Sequence, residues 1–334
     1  MFRIILLSII LIFSLNANSK VTGLYAKNKE VKRFINYMIR KHNFKRSYLI
    51  EVFSKARKPV PFKLKKRKRR VAHGMIKGKN RWLRYSGYTR HERAFLAKDR
   101  VLQGVKFVKR YKTLFTRIEN RLKVDKYIVA AIIGIESYYG EMKGRWEAFN
   151  ILAYNSFVKK QRARFFKYEL ENLLLLSYRQ KLNALYLKGS KYGALGIGQL
   201  MPHSYIKYGV SFDGNKKIEP FSNPDSIATV ANFLHKKGWS YQKPVAIRAR
   251  FDGKWIPQIK NNRVYSIAYL RKKGLKIAKT KARFLKVVKL KRAEFEELWL
   301  AFKNFKILKR YNNSNYYAMA VYQLAQEIKK RDKK

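Results

Sequence analysis

Between Val31 and Arg57, apolar positions (Phe34, Met38, Phe44, Leu49, Val52, Phe53) recur at helical spacing among basic ones. That pattern predicts one or two amphipathic helices. Pro59 and Pro61 interrupt it, and it resumes from Lys98 to Leu122 with Val101, Val105, Val108, Tyr111, Phe115 and Ile118 on one face. From Ile128 to Ile135 every position is apolar or small, and the run ends on one carboxylate, Glu136. It reads as a buried helix, with Asp125 placed to cap its N-terminus. Glu147 to Ser156 reads as a turn of the chain. Phe165 to Leu176, with four leucines in succession, predicts a helix with a wide apolar face. Pro224 to Gly238 predicts another, turning Ile227, Val230, Ala231 and Leu234 inward.

Gly189 to Gly198 is glycine-rich and reads as a loop. It lacks the Gly-Lys-Ser/Thr ending of a phosphate-binding loop, so the glycines suggest close backbone approach beside a groove. Between Pro244 and Leu308 the pattern changes. Val245 to Phe251, Phe284 to Leu290 and Phe295 to Phe302 have strand content, with turns at Gly253, Pro257 and Gly274. Tyr316 to Lys330 closes the chain as a helix. The expected fold is mainly α (α+β). Its expected parts are a leader (1–19), an N-terminal helical region (20–125) with a basic linker (59–80), a helical core (126–240), a small β-containing subdomain (241–309) and a C-terminal helix (310–334).

Composition narrows the partners. A formal net charge of +58 on 334 residues predicts attraction to polyanions, whether nucleic acid, anionic lipid or an acidic wall polymer. The first 19 residues choose among them. Arg3, the apolar run Ile4 to Phe13 and the small residues near Ala17 and Ser19 form a secretory leader, too short for a comfortable membrane span. Export to the periplasm makes nucleic acid the weaker partner. The run Lys63 to Arg70, seven basic residues in eight, then reads as a solvated linker. With no cysteine there is no disulfide, thiolate metal site, cysteine nucleophile or cysteine-borne lipid anchor. Five histidines without a close pair make zinc a poor expectation.

Chemistry centres on Glu136. A carboxyl group in apolar surroundings resists ionisation and can serve as a general acid near neutral pH. The alternative is a carboxylate at the solvent edge of its helix, paired with one of the many cations.

The ordered motifs sharpen the choice. Glu136-Ser137 ends an apolar helix; Lys188-Gly189-Ser190 and Gly193-Ala194-Leu195-Gly196-Ile197-Gly198-Gln199-Leu200-Met201-Pro202 follow. Then come Ser204-Tyr205, Asn223-Pro224-Asp225, Val230-Ala231-Asn232-Phe233, Gly238-Trp239, Arg310-Tyr311-Asn312 and Tyr317 to Val321. Phe34-Ile35, Trp82-Leu83-Arg84-Tyr85 and Gly104-Val105 precede them. This set resembles the lytic murein transglycosylase B family of lysozyme-like lytic transglycosylases, over nearly everything after the leader.

The resemblance implies a lysozyme-like catalytic core whose groove the C-terminal helix completes, and Glu136 as the single acid and base. Ser190 and Gln199 would hold the sugar at the cleavage point. Tyr85, Phe233, Tyr311, Asn312 and Tyr317 would shape the saccharide subsites. Arg162 would face acidic groups of the substrate, with Gln161 standing where the family has a second arginine. It also implies peptidoglycan glycan strands as partner, and cleavage between N-acetylmuramic acid and N-acetylglucosamine with 1,6-anhydro ends. Cell-wall synthesis or division proteins are conceivable further partners that the residues do not name. The family's calcium loop corresponds to Ser211 to Glu219. Ser211 replaces its opening acid and Lys216 and Lys217 occupy its middle, so no metal or other cofactor is expected. The competing readings are a hydrolytic muramidase, a non-catalytic peptidoglycan-binding protein and a basic nucleic-acid-binding protein.

Overall fold

The computed structural model describes residues 20–60, 87–212, 214, 215, 217–251, 259–292 and 295–333. The leader, the run Lys63 to Arg70 and Tyr85 lie outside these.

The first amphipathic stretch forms α1 (Lys29–His42) and α2 (Arg46–Ser54), separated by Asn43 in the left-handed conformation. Asn28 caps α1 by accepting from the N–H groups of Glu30 and Val31. After a short helix α3 (Tyr88–Phe95), the second periodic stretch breaks at Tyr111 into α4 (Lys98–Arg110) and α5 (Lys112–Leu122). The apolar run is α6 (Lys126–Ser137), with Ile128 to Gly134 all buried. Asp125 does occupy its N-cap position, yet its side chain caps nothing. Trp239 Nε1–H donates to Asp125 Oδ2 at 2.8 Å, so the carboxylate ties α6 to a later segment.

Residues expected to turn are instead a two-residue strand β1 (Trp146–Glu147) and α7 (Ala148–Phe157). The helix was hidden because Ala148 to Ala153 are buried on every side, which erases the amphipathic period. Helix α8 (Ala163–Gln180) packs along α7. Strand β2 (Lys188–Gly189) then pairs antiparallel with β1, Trp146 opposite Gly189 and Glu147 opposite Lys188. Bridges from Gly189 to Leu195 and from Leu195 to Leu200 extend this ribbon through the glycine-rich stretch. That stretch is therefore the edge of a small sheet and not a free loop. Helices α9 (Pro202–Tyr208) and α10 (Asn223–Lys236) follow.

The expected strands appear as β3 (Ala246–Arg250), β6 (Phe284–Lys291) and β7 (Glu296–Ala301). They are joined by two short strands that periodicity did not show, β4 (Val264–Ser266) and β5 (Lys276–Ile277), and by α11 (Ile267–Lys272). All pairs are antiparallel in the order β4-β6-β7-β3-β5. In β6 alternation fails at Val287-Val288, both buried, because both faces of the sheet are covered. One face closes over a small core with Ile267 and Leu270; the other joins the main core. Helices α12 (Lys303–Tyr311) and α13 (Asn315–Asp332) end the chain, and α13 packs on α6 and α4. The main core runs from Tyr25 to Ile328.

One buried acid holds the glycine-rich edge to the helices. Glu169 of α8 is fully buried. It accepts the His203 backbone N–H at 3.1 Å and pairs with His203 Nδ1 at 2.6 Å, fixing the start of α9. Ser204 Oγ lies 3.2 Å from His203 Nε2, so Glu169, His203 and Ser204 form a chain resembling a hydrolase triad. Ser204 is buried, however, and reads as a structural partner. Glu169→Ala would strand two donors, and urea unfolding should show a loss of about 3 kcal/mol. Glu169→Gln, which still accepts, should lose less.

Candidate active site

Glu136 sits one residue before the end of α6, where the apolar run surrenders its last turn to a cleft. Behind it, the helix end is locked. Ser137 Oγ donates to Ile133 O at 3.2 Å and accepts the Gly140 N–H at 3.0 Å. Arg100 donates to Gly134 O and lays its guanidinium 4.6 Å from the Tyr138 ring centre, while the Tyr138 hydroxyl donates to Asp99. Tyr139 wedges between α4 and α6: a Cβ at Gly104 or Gly134 would come within 2.5 to 2.6 Å of its hydroxyl oxygen. Both tyrosines have positive φ, which lets the chain leave α6 abruptly.

The Glu136 side chain is partly exposed at the cleft floor and otherwise surrounded by protein. Burial raises its pKa from 4.5 to about 7. The Tyr317 hydroxyl partly opposes the shift by stabilising the charged form, without reaching the geometry of a formed hydrogen bond. No lysine or arginine contributes to the shift. The carboxyl group is thus poised to hold a proton near neutrality and to release it.

One side of Glu136 is aromatic. Tyr317 and Tyr311 are parallel at 6.4 Å between ring centres, and Phe233 meets Tyr311 edge-on at 5.1 Å. Tyr208, which the sequence did not single out, meets Phe233 edge-on at 5.0 Å and extends the row. The Tyr311 hydroxyl donates to Gly198 O, binding the C-terminal helices to the glycine-rich rim. That contact needs glycine, since a Cβ at 198 would sit 2.6 Å from Val230 Cγ2 and 3.1 Å from the Tyr311 hydroxyl. Gln199, at φ 48°, gives its amide N–H groups to Lys143 O (3.1 Å) and Gly196 O (2.8 Å). Its carbonyl oxygen, an acceptor, is left without a partner among the described residues. Ser190 Oγ accepts the N–H groups of Tyr192 (3.2 Å) and Ala194 (3.1 Å), so it shapes the rim while its own proton remains to donate.

Glu136, Tyr317, Tyr311, Phe233, Gly198 and Gln199 are therefore linked contact by contact, with Ser190 on the same rim. Asn312 is exposed at the turn after α12, beside Tyr311. Arg162 is exposed just before α8, its guanidinium 4.5 Å from the Phe165 ring centre and without a hydrogen bond or ion pair among the described residues. Tyr85 is outside the described residues.

The two nearest acids in sequence are disposed differently. Glu141 is exposed. Glu147 is held by Arg57 (2.5 Å), Lys188 (3.0 Å) and Asn150 (2.6 Å), and the Arg57 hydrogen bond above all pulls its pKa down to about 2.

A buried carboxyl that titrates near neutrality beside a row of aromatic rings and a glycine-rich rim is an arrangement suited to general acid catalysis. Comparison with known proteins makes this specific. Residues 26–326 match the family described as Transglycosylase SLT domain. The chain is 33% identical over 312 residues to the membrane-bound lytic murein transglycosylase B of Escherichia coli strain K12, spanning 92% of this chain and 84% of that one. A lytic transglycosylase of Escherichia coli solved in complex with calcium superposes with a TM-score of 0.82 at 30% identity, covering 96% of this chain and 99% of its own. A soluble lytic transglycosylase of Pseudomonas aeruginosa does so at 0.76 and 28%, covering 91% and 100%. The chain belongs to the transglycosylase SLT domain family, the lysozyme-like lytic transglycosylases.

Burial of Glu136 has a consequence for stability. Below pH 4.5 the group is protonated in both folded and unfolded chains. Between 4.5 and about 7 only the folded chain keeps the proton, so stability falls as pH rises. Above about 7 the desolvated carboxylate weighs against folding in full, by about 3 kcal/mol. Glu136→Gln should therefore stabilise the chain at about pH 8 and not at about pH 4, as read by urea unfolding at the two values.

Proposed function

We propose that this protein is a lytic transglycosylase that cleaves the β-1,4 bond between N-acetylmuramic acid and N-acetylglucosamine in peptidoglycan, with Glu136 as its only acid and base. The observation that carries this reading is the buried carboxyl of Glu136, whose pKa no second carboxylate among the described residues affects. Ordinary glycosidases use two. Here the substrate supplies the nucleophile. Glu136 gives its proton to the glycosidic oxygen as the C1–O bond breaks. Its carboxylate then accepts the proton of the muramic C6 hydroxyl, whose oxygen bonds to C1 and closes a 1,6-anhydro ring. No water is consumed, and Glu136 ends protonated again.

The other side chains position the sugars. Ring faces of Tyr311, Tyr317 and Phe233 suit the apolar faces of pyranoses, with Asn312 at the end of the row and Tyr85 added on resemblance alone. The Gln199 carbonyl accepts from a sugar N–H or O–H, and the Ser190 hydroxyl donates to one. Arg162, with its charge unpaired, meets acidic substrate groups. The secretory character of residues 1–19 supports action in the periplasm. Among the described residues no helix is long and apolar enough to cross a membrane.

A hydrolytic muramidase is the rival, and the products separate the two. Mass spectrometry of fragments released from purified sacculi should give ends lighter than hydrolytic ones by the mass of one water, and Glu136→Gln should abolish release. Reducing ends would establish the hydrolase.

This reading assigns no calcium to the loop from Ser211 to Glu219, where Ser211 stands in place of an acid. The calcium ion needs six to eight oxygens. Asp225 instead gives one carboxylate oxygen to the Phe212 N–H (2.9 Å) and the other to the Glu219 N–H (3.0 Å). Asn215 Oδ1 accepts the Lys217 N–H at 2.7 Å. These hydrogen bonds close the loop themselves. The melting temperature and lytic rate should stay the same in excess chelator and in millimolar calcium; a clear rise of either with calcium would show a working site.

A further inference from the structure

Away from the groove, a cavity of about 560 Å³ opens where the segment after α10 meets the sheet and the start of α12. That volume is in the range of small-ligand sites. Ile247 and Phe302 give it apolar lining, and Lys243, Lys279, Lys281 and Lys303 surround it. Among the described residues no Asp or Glu lines it, and none of the four lysine side chains has a hydrogen bond or ion pair. Elsewhere the acids hold elements together, as Glu147, Glu171 and Glu297 do with their basic partners. Lysines at four positions around one opening give it a local excess of positive charge, which attracts an entering anion.

The wall is preformed. Asn304, buried, accepts the Ser240 N–H at 2.9 Å and donates to Ser240 O (2.8 Å) and Lys243 O (3.1 Å). The Phe302 N–H donates to Val245 O at 3.0 Å. The cavity also has a fixed relation to the groove. Helix α12 begins at Lys303 and ends at Tyr311, eight residues or about 12 Å later.

We propose that this cavity is an accessory subsite for the carboxylate-bearing peptide stems of a glycan strand whose sugars occupy the groove. The inference rests on the peptidoglycan reading above. The apolar lining takes the aliphatic parts of a short peptide. Ammonium groups on long flexible stems suit several carboxylates at variable spacing, where the rigid fork of arginine suits one.

The test uses the chain carrying Glu136→Gln, so that binding is read without cleavage. Calorimetry measures its affinity for peptide stems released from purified sacculi and, separately, for glycan strands stripped of stems. Two further chains add either Lys→Gln at 243, 279, 281 and 303, or Lys→Gln at exposed Lys106, Lys109, Lys112 and Lys123, an equal change of charge. Stem affinity should fall roughly tenfold in the cavity variant and hardly at all in the remote one, with stripped strands binding all three alike. Undiminished stem binding by the cavity variant, or an equal loss in the remote variant, overturns the proposal. So does displacement of the stems by inorganic phosphate at comparable concentration, which would assign the cavity to phosphate-bearing ligands. Failure of stripped strands to bind any of the three counts against the peptidoglycan reading instead, and the stem titration still decides the cavity.

Discussion

Everything in this protein's site depends on keeping cations away from one carboxyl group. The chain carries 78 lysines and arginines against 20 acids. A single ammonium or guanidinium near Glu136 would favour its charged form and return it to the ordinary carboxylate range. Glu147 shows that outcome a few residues away, held at about 2 by Arg57 and Lys188. Glu136 escapes because its neighbours are the apolar interior of α6 and the phenol rings of α12 and α13. Burial sets its pKa, and the Tyr317 hydroxyl trims it. The same residue type thus does opposite work at two adjacent places, and only the surroundings differ.

That insulation is built from close approach. The rim can reach the aromatic wall because Gly198 lets Tyr311 touch its carbonyl, and Gly144 lies where a Cβ would stand 2.2 Å from the Gly189 carbonyl. Tyr139 fits between α4 and α6 only because Gly104 and Gly134 present bare backbone to it. Backbone packing of this kind brings the elements around Glu136 close together, and burial is what raises its pKa. Scarcity of acids has a second effect. Glu169 fixes α9, Glu297 joins Arg248 to Arg292, and Asp125 anchors Trp239. In a chain so basic, the few buried acids serve as ties between elements, which leaves regions such as the cavity beside α12 with positive charge and nothing to balance it.

Much of the fold was legible in the sequence where one face of an element meets water. Amphipathic spacing located α1, α2, α4, α5, α8 and α10, and strand content located β3, β6 and β7. It failed where that contrast vanishes. Helix α7 is buried all round, and β4 and β5 are too short to show a period; α12 does have an apolar and a basic face, but it follows directly on the strand content of β7, which masks its start. Of the site, Glu136 stood out as the carboxylate that ends an apolar run, and the ordered motifs gathered the rim and wall residues. Tyr208 carries no signal in the sequence because it ends the seven-residue helix α9 and meets Phe233 only through the fold. Arg162 was placed at the groove by resemblance, and the structure sets it on Phe165.

By itself, the sequence determined the helical class, the β-containing insertion and the family, and it singled out Glu136, because spacing, glycine position and residue type are local properties. Only the tertiary structure decided what those residues experience. That Asp125 bonds Trp239 and caps nothing, that Glu169 meets His203, that the glycine stretch is the edge of a sheet, and that among the described residues no cation acts on Glu136 are all facts of contact between distant segments. A carboxyl group's pKa follows the dielectric and the charges around it in space, and the order of residues along the chain does not specify those until the chain has folded.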